Sequence, residues 1–116
     1  MTTPQDLHFE KTLKASATFL QRWQGAHAEL WQLTSSHKTL QIVLRRLGED
    51  GNKNLLIACA DPIRLRGPIR WDSSDLVIAR YPMPQDPADG FVITDAKADL
   101  EIICGLVEVK ENVKLY

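Results

Sequence analysis

Residues Ile63 to Asp75 read IRLRGPIRWDSSD, with arginine at every second position until Gly67 and Pro68 interrupt the alternation. In an extended chain, same-face neighbours stand about 6 to 7 Å apart, so adjacent guanidinium groups can clasp one polyanion or several carboxylates. This parity puts Arg64, Arg66 and Arg70 on one face and predicts that Ile63, Leu65, Ile69 and Trp71 point into the core. Pro62 and Pro68 each remove a backbone donor, which moves the stretch to an edge or a bend. The competing reading is a solvated strand face whose arginines pair with acids on neighbouring strands, and on pattern alone it is the stronger. Asp72 and Asp75 bracket two serines. Paired carboxylates can do acid–base work or hold a hard cation, but D-S-S-D is first of all turn chemistry.

A second candidate surface is the loop PMPQDPADG, residues 82 to 90, with three of the six prolines. Proline pre-orders a loop and lowers its entropy loss on binding, so Asp86 and Asp89 become candidate partner-binding residues. Trp23 and Trp71 fall on apolar patterns and read as core. Trp31 does not, and is kept as a candidate aromatic contact for a ligand or partner.

Other chemistry finds little support. His27-Ala28-Glu29 matches the H-x-E half of the zinc deaminase signature, but the P-C-x-x-C half is absent. Cys59 and Cys104 sit inside apolar runs, where a raised pKa and poor access make a thiol inert. There is no glycine-rich phosphate loop or nucleophile elbow, and no ligand spacing that places a metal. No catalytic residue, metal or cofactor is therefore expected.

The elements that position these residues follow from periodicity. Thr3 and Asp6 form a capping-box pattern around Pro4, and Phe9, Leu13, Ala17, Leu20 and Trp23 recur at helical spacing. The pattern predicts a helix over about 4–24. From residue 28 the period falls to two, with turn signals at 48–54, 61–62, 82–90 and 95–98. Because no helix separates the strands, the expected fold is α+β. One long N-terminal helix should pack on a twisted, mainly antiparallel meander of six or seven strands, curling toward a half-barrel. Residues 1–116 read as one domain.

The chain carries 14 basic and 15 acidic residues, a formal charge of −1. Phosphate neutralisation dominates nucleic-acid affinity, so this balance disfavours nucleic acid as a partner. The first residues lack the basic and apolar stretches of a secretory signal, and no apolar run reaches the roughly 18 residues of a membrane span. A cytoplasmic protein with reduced thiols is expected, with no membrane partner. The expected function is a non-catalytic interaction or regulatory module that binds a protein partner or itself. The alternative is a binding protein or weak enzyme for a small anionic ligand, with an arginine and Trp31 or Trp71 in a pocket between helix and sheet.

Overall fold

The computed structural model describes residues 3–34, 36, 38–46, 53–83 and 89–113. Helix α1 (Pro4–Arg22) starts as its sequence dictates. The Asp6 amide donates to Thr3 Oγ1 at 3.0 Å, and the Thr3 amide donates to the Asp6 carboxylate at 3.2 Å. The helix stops two residues short of Gln24, where Arg46 donates to the Arg22 carbonyl at 2.6 Å and Gly25 takes φ +87°. Phe9, Ser16, Leu20 and the following Trp23 are buried, while Ala17 is exposed. The buried face is thus rotated slightly from the expected stripe.

Seven strands follow: β1 (His27–Thr34), β2 (Thr39–Arg45), β3 (Asn54–Arg66), β4 (Arg70–Trp71), β5 (Val77–Tyr81), β6 (Gly90–Asp95) and β7 (Leu100–Val113). All pairings are antiparallel, in the order β4-β1-β2-β3-β7-β6-β5. Two three-stranded meanders, β1-β2-β3 and β5-β6-β7, are therefore fused along β3 and β7. This is the α+β architecture expected, with the sheet curled as a half-barrel.

The core lies between helix and curled sheet. Leu40, Ile42, Leu44, Leu55, Ile57, Phe91, Ile93 and Ile102 fill it, and the Phe9 and Phe91 rings meet at 4.8 Å. Cys59 and Cys104 are free and buried in the same cluster, and hydrogen bonding to Cys104 followed by burial pushes the Cys59 thiol well up.

Two strands run longer than local pattern suggests. Asp61-Pro62 reads as a strand end, yet β3 continues through it to Arg66. Asp61 adopts φ +52°, and a bulge between Pro62 and Arg64 keeps the pairing with β7. Gly105 likewise does not break β7. Beyond the bend, Gly67 turns the chain at φ +137°, where a Cβ would lie 2.9 Å from the Leu100 Cα. Only glycine fits there.

Candidate binding surface

After Gly67 the chain folds back onto the first strand. Trp71 stands opposite Ala28 and Arg70 opposite Glu29, and the Leu30 amide donates to the Ile69 carbonyl at 2.7 Å. At the other end of β1, the Asp61 amide donates to the Lys38 carbonyl at 2.8 Å. Between these two ties runs a seam. Residues 31–34 pair on one side only, with β2, and residues 62–66 on one side only, with β7. Among the described residues, no backbone hydrogen bond joins the two edges. A cavity of about 450 Å³ sits in the seam, lined by Leu33, Thr34, Lys38, Asp61, Pro62 and Ile63.

Backbone strain marks the same place. Lys38 (φ +50°) and Asp61 (φ +52°) both occupy the left-handed region, which costs a residue with a side chain roughly 1 kcal/mol. The hydrogen bond between them holds two strained residues at one end of the cavity.

The seam is also where apolar surface is left open. Eight large apolar side chains are exposed among the described residues; four of them (Trp31, Leu33, Ile63 and Leu65) lie on these two segments and a fifth, Ile69, at the tie that closes one end. Leu33 is 57% exposed, Ile63 64% and Ile69 65%. Scattered exposed leucines need no explanation, but a cluster does.

This corrects the parity reading of the arginine stretch. Ile63, Leu65 and Ile69 stay exposed: Ile63 is the extra residue of the bulge at Pro62–Arg64, Leu65 stands opposite the core residue Ile102 but has no strand on its other flank, and the turn at Gly67 breaks the phase before Ile69. Trp71 alone goes inward, half-buried, with its indole N–H donating to Asp95 Oδ2 at 2.8 Å. The buried Asp95 carboxylate also accepts from the Asp75 amide at 2.9 Å and the Ala98 amide at 3.4 Å, which fixes the turns that enter and leave the β5–β6 hairpin at its open end.

The three arginines do not converge on one point. Arg64 lies 3.6 Å from Glu101 and Arg66 3.4 Å from Asp99, so both meet acids of the neighbouring strand and its turn. Arg70 sits across the Gly67 turn on β4 and has no ion-pair partner among the described residues. Trp31 falls at a bulge in β1, 42% exposed, with the Arg45 guanidinium 5.0 Å from its ring centre.

Asp89 takes a structural position. It accepts from Arg80 Nε at 2.8 Å and from the Met83 amide at 3.3 Å, while Arg80 also donates to Asp6 at 2.7 Å and lies over the Phe9 ring. Arg80 thereby ties the base of the proline-rich loop to the helix, and its hydrogen bond, ahead of those from Thr3, holds the Asp6 carboxyl below its ordinary range. Asp86 and the rest of residues 84–88 lie outside the described residues.

One polar cluster has no sequence signal beyond the H-x-E pair. His27 Nδ1 lies 2.7 Å from Asp72 and Nε2 3.0 Å from Glu29. The Asp72 hydrogen bond raises the His27 pKa; burial opposes it, and Glu29 adds to it. With both ring nitrogens engaged, His27 has none left for a substrate and reads as a clasp between β1 and the D-S-S-D turn. That turn docks further through Ser74, whose backbone bonds Gly25 and Ala26.

Three cavities between helix and sheet are lined, among the described residues, by neither tryptophan nor arginine; one of about 450 Å³ is lined by residues such as His8, Thr12, Ala58 and Leu106. Among the described residues, no cluster of His, Cys, Asp and Glu has the arrangement of a metal site, and no helix is long and apolar enough to cross a membrane. No known protein family, curated protein or solved structure matches the chain.

Proposed function

We propose that this protein is a non-catalytic binding module that receives an extended segment of a protein partner in the seam between β1 and the tail of β3. The observation that carries the reading is the pair of open strand edges facing a cavity rimmed by exposed apolar side chains. An open edge offers unpaired N–H and C=O groups to an added strand, and pockets beside it select side chains. A seam cavity of about 450 Å³ has room for one or two apolar side chains. Catalysis is the weaker reading because His27 has both nitrogens engaged and both thiols are buried.

Selection of a random displayed-peptide library against the folded protein, followed by amide chemical-shift mapping, tests the proposal. Enriched peptides should move the amides of Trp31–Thr34 and Ile63–Ile69. Leu33→Asp and Ile63→Asp, both at exposed positions, should each remove binding and leave the melting temperature nearly unchanged. Peptides that map to another face, or a library that enriches nothing, would overturn the reading.

A further inference from the structure

We infer that the segment received by the seam is acidic, with carboxylates alternating with apolar side chains. This rests on the docking function proposed above and deepens it. Residues 30–38 and 61–70 carry four cations, Lys38, Arg64, Arg66 and Arg70, against the single carboxylate of Asp61. The two segments themselves therefore carry +3 in a chain whose formal charge is −1, with Glu101 and Asp99 of the neighbouring strand and turn set against Arg64 and Arg66. Such separation of charge selects partners and steers their approach.

These cations are available to a newcomer. Neither Lys38 nor Arg70 has an ion-pair partner among the described residues, and Lys38 lines the cavity itself. Arg64 and Arg66 hold Glu101 and Asp99 at 3.6 and 3.4 Å with side chains 65% and 63% exposed. Exposed pairs of this kind contribute little, so a partner carboxylate can compete for either guanidinium.

Alternation follows from the edge geometry. An added strand presents successive side chains to opposite faces. One set reaches the cavity between Leu33 and Ile63, and the other turns outward to the cationic rim.

Two other occupants fit less well. A second copy joined by a two-fold axis would set the unpaired cations Lys38 and Arg70 against their own copies. An anionic bilayer would meet the apolar side chains and the cations, but it supplies no hydrogen-bonding backbone to the two open edges.

Three blocked nine-residue peptides provide the test. They share valine at alternate positions and differ only in carrying glutamate, glutamine or lysine between. Titration is followed by amide shifts of the uniformly labelled protein. The glutamate peptide should shift Trp31–Thr34 and Ile63–Ile69, bind about tenfold more tightly than the glutamine peptide, and lose about tenfold in affinity between 50 and 500 mM salt. The double variant Lys38→Gln/Arg70→Gln should remove most of that preference and leave binding of the glutamine peptide unchanged. Equal binding of the glutamate and glutamine peptides at the seam would overturn the acidic partner and leave the docking function standing. Failure of all three peptides and of the displayed library would remove both. Binding to phosphatidylserine vesicles without peptide binding, or a dimer in sedimentation that Leu33→Asp dissociates, would replace the partner strand with a membrane or a second copy.

Discussion

At the scale of single residues, His27 is the group most exposed to pH. Its folded pKa is raised, chiefly by the hydrogen bond to Asp72, so the folded state holds the proton more tightly than the unfolded chain. The stabilisation is complete below the ordinary histidine pKa of about 6.5 and fades as pH rises through the higher folded value. Around the ring stand Glu29 on β1 and Asp72 on the turn after β4, with Arg45 of β2 3.8 Å from Glu29. His27→Gln should therefore lower the melting temperature most near pH 5.5, with the gap from the parent narrowing toward pH 8.5. A gap that widens with pH would reverse the assignment of charge. None of this was legible in the chain, because Asp72 reaches His27 across 45 residues of sequence and only the β4–β1 pairing brings them together. The arginines show the opposite case. Their alternation was plain, but the alternation concealed a bulge, and the apolar residues between them proved more informative than the charges.

At the scale of elements, the helix was the easiest to read. Its cap and its apolar spacing are local features, and both appear in the folded chain. Its attachment rests on Phe9 against Phe91 and on Trp23, whose indole N–H donates to Glu111 at 2.8 Å. Truncating a buried phenylalanine removes its transfer energy and leaves a cavity, so Phe9→Ala should cost about 3 kcal/mol in urea unfolding. A loss below about 1 kcal/mol would mean that the helix is not docked as described. Strand boundaries were harder. β3 runs through Asp61-Pro62 because β7 pairs with both of its halves, and a partner some 40 residues away leaves no mark on the local sequence. For the same reason β4 could not be foreseen as a two-residue strand returning to β1.

At the scale of the molecule, the β3–β7 pairing is the axis of the sheet and the seam leaves two facing strand edges without a partner. Amide hydrogen exchange should separate them. Ile57, Cys59, Ile102 and Cys104 lie where their strands are paired on both sides and should exchange slowest. Amides of 31–34 that point into the seam have no backbone partner and should exchange orders of magnitude faster. Uniform protection along β1 would mean that the seam is closed in solution. Its strained end follows from one constraint: the chain must bend at Asp61 to bring Arg70 and Trp71 back to the first strand.

The position of β7 has a consequence for synthesis. It is the last of the seven strands to leave the ribosome, yet it occupies the centre of the sheet, between β3 and β6. Until it emerges, β3 and β6 each present a bare flank, and the two meanders have nothing to join them. The nascent chain thus waits for its closing strand with two sticky templates in the open, at the stage when holding chaperones matter most.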